Sequence, residues 1–511
     1  MQMSPETRYA FAWIALVVIS VITIWFTVQR LEMVEAALSP RHSDYAIPVS
    51  ISKLRGLPDY TAYMEVATWF QHHKQRPIAE NILEASRVPI LNPDYRLFVS
   101  GDDKGLVDLV YISFELFGSS VASIFVLVAV LANISIALYV FQFCRSAQKM
   151  ALLVASLASF YVILFTFGIT DQSTSIIEPR FIGFLGIVPL LHVVLTILDT
   201  RRLNLWSAVS ATIQLAILMF VVHLRTSEMW QVLCILAACT TALLLKRDRR
   251  AALGAIAIMA VLGAATVAYR AQTYHRAYQT TDLMTRVLWH NAVMGLSVNQ
   301  AIRDRFAMIP LEDATVTEAV RAHLSKTDQA EILKSLFSDP NYTGGNFAGF
   351  RWSAYEPKAR EFYFHIVSEM PLEVLKTYFV LMPRIFIANL SYMSGYPIFQ
   401  DSLWKGGTFE TPEQRAQRQH YLNPLRPFAL LVVGFAAILL AANAKPLDWS
   451  VAVAAALAIA GSAIPPVLVM PVFQYSQLMI MLVLTGCYLV LSFALAAGMR
   501  RLATASQTKV L

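Results

Sequence analysis

Stretches of about twenty apolar residues recur along this chain, and several of the connections between them are short and rich in Lys and Arg. At a rise of about 1.5 Å per residue, twenty residues cover about 30 Å, the thickness of a bilayer's hydrocarbon core. Inside that core each backbone N–H and C=O must find its partner within the segment, so such a run crosses as a helix. Repeated crossings exclude an ordinary soluble globule. Composition agrees: 57% of the 511 residues are hydrophobic and 15% charged, against about 25% charged in a typical soluble domain.

Ten spans are read: Tyr9 to Val28, Ser119 to Phe143, Met150 to Ile169, Phe181 to Leu198, Leu205 to Val222, Met229 to Leu245, Ala251 to Ala268, Pro427 to Ala442, Ser450 to Val472 and Leu478 to Ala497. The first is longer than the apolar core of a cleaved signal peptide and reads as a retained anchor. Alternate connections carry the basic residues: Arg145 and Lys149, then Arg201 and Arg202, then Lys246, Arg247, Arg249 and Arg250, then Lys445, then the tail with Arg500, Arg501 and Lys509. Basic connections stay cytoplasmic, so both ends are expected in the cytoplasm. Two long hydrophilic segments then share the opposite side, the periplasm if the membrane is a bacterial inner membrane.

The expected architecture is an all-α polytopic membrane protein with ten or eleven transmembrane helices and periplasmic surface helices. Its parts are 1–28, a cytoplasmic head and first span; 29–118, a first periplasmic loop; 119–268, a transmembrane bundle; 269–426, a second periplasmic segment; and 427–511, the C-terminal spans and tail. The eleventh candidate is 371–393. A crossing there would reverse the charge bias after it, and Lys376, Pro383 and Arg384 suit lipid poorly, so an interfacial or protein-covered helix is expected.

The net charge of +7 falls in clusters between spans and reads as topological, with no nucleic acid partner implied. All four cysteines lie in or beside apolar segments, so neither hydrophilic segment can form a disulfide or a cysteine zinc site. A phosphate-cradling glycine loop, HExxH and GxSxG are absent from the sequence, which argues against a nucleotide-driven pump.

In the first hydrophilic segment, "PDYTAYMEVATWFQHH" reads as a helix capped by Asp59, with Tyr63, Val66, Ala67 and Phe70 on one face. After Gly105, a stripe of Leu106, Leu109, Val110, Phe114 and Phe117 predicts a helix lying along the membrane surface, with Asp108 and Glu115 on its polar face. A surface carboxylate can take the proton of an attacking hydroxyl. Asp44, Asp59 and the adjacent Asp102 and Asp103 are candidates, although Asp59 equally suits a helix cap and "GDDKG" a solvated turn. Asp102 and Asp103 could share a hard divalent cation, magnesium or manganese, through oxygen ligands.

A second set is basic. "HLRTSEMW" places His223, Arg225 and Glu228 in a very short connection at the membrane surface, where ionisable groups are functional suspects. Arg286 and His290 lie one helical turn apart, and "GFRWSAYEPKAR" gathers Arg351, Tyr355, Glu356, Lys358 and Arg360. A phosphate leaving group needs such cations; the plainer reading of each is a surface ion pair. His192, inside a span, reads as a hydrogen-bonded packing residue. "DATVTEAVRAHL" and "EPKAREFYFHIV" are further helices.

The order of parts resembles the GT-C class of membrane glycosyltransferases. In that class the first outer loop carries D-E-x-x-Y-x-x-x-A and then a surface helix ending in "LFG". "PDYTAYMEVA" is similar to the first, with Asp59, Tyr63 and Ala67 matching and Tyr60 in place of the second acid; "LVDLVYISFELFGSS" is similar to the second, although Asp102 to Leu106 stand where the class often has His-Pro-Pro-Leu. The resemblance covers residues 1 to about 150. It implies a polyprenyl-phosphate sugar as donor and a glycan, lipid or protein acceptor, as in cell-envelope polysaccharide or glycolipid synthesis. Displacement would invert the sugar: Asp59, or else Asp102 or Asp103, takes the acceptor proton, and Lys104, His223, Arg225, His290 or Arg351 receives the phosphate. Tyr63, Tyr355 and Glu356 are candidates for substrate contact.

Two other classes remain open. An O-antigen-type polymerase or ligase would act on a diphosphate-linked glycan, but such enzymes usually carry their main loop late in the chain. A lipid or sugar transporter would show internal repeats and broken helices at mid-membrane; no repeat of fixed period is present.

Overall fold

A computed structural model describes residues 45–74, 76–98, 104–167, 181–199, 204–245, 249–274, 288–326, 352–393, 447–471 and 473–508. The expected spans 9–28 and 427–442 lie outside these residues, as do Asp44, Asp102, Asp103, Arg286 and Arg351.

The first hydrophilic segment contributes α1 (Ile47–Leu54), β1 (Thr61–Tyr63), α2 (Met64–His72), α3 (Ile78–Ala85), β2 (Arg96–Phe98) and α4 (Lys104–Phe117). The two short strands pair antiparallel, Thr61 opposite Phe98 and Tyr63 opposite Arg96. That pairing displaces the expected helix start. Residues 61–63 are extended, the helix begins at Met64, and Val66, Ala67 and Phe70 are buried as the spacing predicts. Asp59 does not cap this helix. It folds back on the strand instead, accepting hydrogen bonds from the Thr61 amide (3.2 Å) and hydroxyl.

Helix α4 differs from expectation in one respect that matters. Its stripe of Leu106, Leu109, Val110 and Phe114 is buried, but so is Asp108, at 2% exposure on the face predicted to be wet. The helix is sandwiched between α1 and the bundle, to which Gly105 gives access: a Cβ there would overlap the backbone carbonyl of His223. Gly118 ends the helix with φ +88°, a conformation glycine adopts without strain. The Ser120 side chain then accepts from the Ser123 amide (3.3 Å) and caps the next helix. This is the physical content of "LFGSS".

The bundle comprises α5 (Val121–Phe143), α6 (Ala147–Phe167), α7 (Ile187–Asp199, entered through a 3-10 turn at Ile182–Gly186), α8 (Leu205–Leu224), α9 (Met229–Leu244, entered through a 3-10 turn at Thr226–Glu228) and α10 (Arg249–Thr273). Seven helices among the described residues are long and apolar enough to cross a membrane. They are α5, α7, α8, α9 and α10 together with two from the C-terminal part. The apolar stretch of α6, Ala147–Ile163, is shorter.

Side chains at the helix ends establish an up-and-down arrangement. Gln142 donates to Ser207 (2.7 Å), Lys149 pairs with Asp199, and the Gln148 side-chain oxygen accepts from the Asp448 amide (2.5 Å). The basic connection of Arg145 and Lys149 therefore sits at one end of the bundle, and His223, Arg225, Tyr269 and Arg270 at the other. At mid-bundle, Gln214 donates to the Ser135 carbonyl (2.8 Å) and to His192 Nδ1 (3.1 Å). The His192 ring meets Tyr139 and Phe143 edge to face, so it is a hydrogen-bonded packing residue.

The second hydrophilic segment supplies α11 (Trp289–Leu296), α12 (Gln300–Phe306), α13 (Asp313–Lys326) and α14 (Trp352–Glu369) around Val293, Ile302, Val316, Phe362 and Ile366. Then α15 (Pro371–Lys376), a π-type turn (Thr377–Leu381) and α16 (Met382–Met393) run on without a break. This stretch is not among the seven candidate spans. Leu381, Met382 and Ile385 face protein, while Leu372, Phe379 and Val380 are exposed. The chain continues with α17 (Trp449–Ser462), a π-type turn (Ile464–Val469) and α18 (Phe473–Thr508), which complete the seven through Trp449–Val469 and Tyr475–Leu495.

Candidate functional site

The six residues from His223 to Glu228 form the corner between α8 and α9, and three of their side chains enter three different surroundings. His223 turns toward the first hydrophilic segment. Its Nε2 lies 2.6 Å from Asp108 Oδ2, and its Nδ1 accepts from Arg270 Nε at 3.1 Å. An arginine N–H can only donate, so the ring carries its proton on Nε2 and gives it to Asp108. Arg270 Nη2 also bonds the His223 carbonyl (3.2 Å).

Asp108 collects three more donors: Lys53 Nζ at 3.3 Å, the Tyr269 hydroxyl at 2.8 Å and the Tyr60 hydroxyl. Burial alone would raise its pKa. The hydrogen bond from His223, the charge of Lys53 and the Tyr60 hydroxyl outweigh burial and hold the carboxyl below the usual range. Tyr60 itself is pushed far up, by burial first and then by the neighbouring carboxylate. A carboxylate accepts about four hydrogen bonds, so Asp108 is saturated and serves as an anchor.

Asp59 sits one residue before Tyr60 and holds Arg96 Nη1 at 3.2 Å in addition to the two Thr61 bonds. Three donors among the described residues leave it one acceptor position. Tyr63 is half-buried beside it; its amide donates to Ser52 Oγ (3.1 Å). Lys104, the first residue of α4, is buried.

Arg225 turns the opposite way from His223 and donates to the Tyr475 hydroxyl at the start of α18 (2.6 Å). Tyr475 belongs to the apolar core of the second hydrophilic segment, together with Tyr355. Glu228 is 1% exposed; its Oε2 accepts from Trp230 Nε1 (2.9 Å) and Gln231 Nε2 (3.0 Å).

The residues expected from the second segment form their own group. His290 is buried, with Nδ1 2.8 Å from the Tyr355 hydroxyl and Nε2 3.0 Å from Asp313 Oδ1. Glu356 accepts from the amides of Leu288, Trp289 and His290 at 3.1, 2.9 and 3.1 Å. It therefore caps α11, although burial raises its pKa against those bonds. Of the expected residues, His223 and Arg225 share the corner, Asp59 stands in the adjoining layer, and His290, Tyr355 and Glu356 lie together one layer away behind Tyr475.

No group of three or more His, Cys, Asp or Glu side chains that could hold a metal ion occurs among the described residues. Asp59 faces Arg96, and Asp108 faces Lys53 and a histidine N–H. Neither surrounding suits a cation.

Lys53, Tyr60, Asp108, Tyr269 and Arg270 were not expected as site residues. Gly105 and Asp108, three residues apart on one helical face, are the trace that a close crossing leaves in the sequence. Nothing in the sequence pairs either with His223.

No protein-family model matches the chain, and neither a curated protein nor a solved structure matches it.

Proposed function

We propose that this chain is a membrane glycosyltransferase of the GT-C type, which moves a sugar from a polyprenyl phosphate to an acceptor hydroxyl at the periplasmic face of a bacterial inner membrane. The observation that carries the reading is the bond from α4 to the α8–α9 corner through Asp108 and His223. It sets the acid-bearing first segment beside Arg225 and Arg270, which come from later helices. A reaction that takes a proton and releases a phosphate needs a carboxylate and cations in this kind of proximity.

In the proposed step the acceptor oxygen attacks the anomeric carbon as the bond to the phosphate oxygen breaks. The lipid phosphate leaves with the electron pair, and the carboxylate takes the acceptor's proton. Asp59 is the base favoured among the described residues, because it retains an acceptor position where Asp108 has none. Arg225, braced by Tyr475, receives the phosphate. His223 and Arg270 hold the corner in register, and no step runs through a metal.

The test is turnover of a polyprenyl-phosphate sugar by the purified full chain. Asp59→Asn is expected to lose at least a hundredfold in kcat, the scale of general base catalysis. Full activity in Asp59→Asn and also in the Asp102/Asp103 double Asn variant would remove the carboxylate base.

A further inference from the structure

Just past the corner, two buried side chains are each left with an oxygen that has no hydrogen-bond partner among the described residues: Glu228 Oε1 and Gln231 Oε1. They are 1% and 0% exposed and lie three residues apart, one turn along the start of α9. Buried polar atoms are nearly always satisfied, so two in one turn call for an explanation.

The rest of each group is committed. Gln231 Nε2 donates both to the Gly183 carbonyl (2.9 Å) and to Glu228 Oε2 (3.0 Å), and Trp230 Nε1 also donates to Glu228 Oε2. Turning the Gln231 amide over would set its oxygen against two acceptors, so its orientation is determined. What remains is acceptor-only. The 3-10 turn before α7 lies directly against both groups: a Cβ on Gly183 would overlap the Glu228 carboxylate, and one on Gly186 the Gln231 amide. Arg225 stands one turn earlier in the chain.

We propose that Glu228 and Gln231 form the subsite that receives hydroxyl groups of the transferred sugar, with Arg225 taking the adjoining phosphate. This rests on the glycosyltransferase reading and deepens it. Hydroxyls are donors that acceptor oxygens recognise, and a site built to bond them rejects an analogue lacking one, because its own buried group is then left unpaired.

The experiment measures binding of short-chain polyprenyl phosphate to the full chain in detergent, bare or carrying glucose, mannose or galactose, by calorimetry and by the emission of Trp230, which touches Glu228. Wild type is expected to bind one sugar-bearing lipid at least tenfold more tightly than the bare phosphate. Glu228→Gln and Gln231→Leu are expected to abolish that difference while bare-lipid binding stays within twofold, which also reports an intact fold. Monodeoxy analogues of the preferred sugar, tested on wild type, keep the question decidable if either variant fails to fold: at least one should lose the tenfold gain. If the lipid sugar is turned over but both variants, or all monodeoxy analogues, retain the gain, the subsite is wrong and the glycosyltransferase reading survives. If wild type neither binds nor turns over any of these lipids, both fall.

Discussion

Asp108 and His223 are 115 positions apart in sequence and 2.6 Å apart in space. Their bond joins the first hydrophilic segment to a corner of the helical bundle, at a depth where neither group reaches water. Removing one partner of such a pair leaves the other buried and unmatched, at a cost of about 3 to 5 kcal/mol. Asp108→Ala is therefore expected to lower the midpoint of thermal unfolding in detergent by several degrees. A midpoint equal to wild type would show that the hub is not structural.

The same carboxyl sets a pH window. Its folded pKa lies below the ordinary aspartate value of about 3.9, so its stabilisation is complete above that value and is lost as pH falls through the folded pKa. The stability difference between wild type and Asp108→Asn should be constant from about pH 7 to pH 5 and shrink below about pH 4. A difference that instead grew on acidification would reverse the assigned charge states.

Gly105 and Gly254 make a matched pair. A methyl group at Gly105 meets the His223 backbone, whereas nothing lies within 4 Å of one at Gly254. Gly105→Ala should cost about 1 to 3 kcal/mol, the range for overpacking, and reduce sugar transfer with it. Gly254→Ala should be neutral in both assays. Equal tolerance at the two positions would contradict the close crossing of α4 and α8.

Glu356 separates capping from substrate contact. Glu356→Ala should destabilise by about 1 kcal/mol, the usual loss at a helix cap, and leave KM for the lipid donor unchanged. An unchanged melting curve with a raised KM would restore the substrate role that its neighbours in sequence suggest.

Arg225→Lys keeps the charge but loses the planar fork that reaches Tyr475. The variant is expected to lose at least tenfold in kcat/KM for the lipid donor, and Tyr475→Phe to lose less. Wild-type kinetics in Arg225→Lys would place the phosphate elsewhere.

Much of the bundle was legible because lipid leaves a segment few choices: length and apolarity place α5 and α7 to α10, and alternating Lys and Arg predict which ends gather. The surroundings of single carboxylates were not legible. Asp59 looks like a cap because Asp often is one; only the strand pairing of Thr61 with Phe98 draws it away. Asp108 looks solvated because helical periodicity sees one element at a time and cannot register a second helix arriving on the polar face. His223 and Arg225 were visible for a simpler reason, since charge in so short a connection has nowhere neutral to go.

Connections between helices usually tolerate inserted residues. The turn from His223 to Glu228 should behave like the keystone of an arch: lengthening it by a single residue rotates three anchored side chains out of reach at once, so an epitope tag placed there is expected to abolish the folded protein.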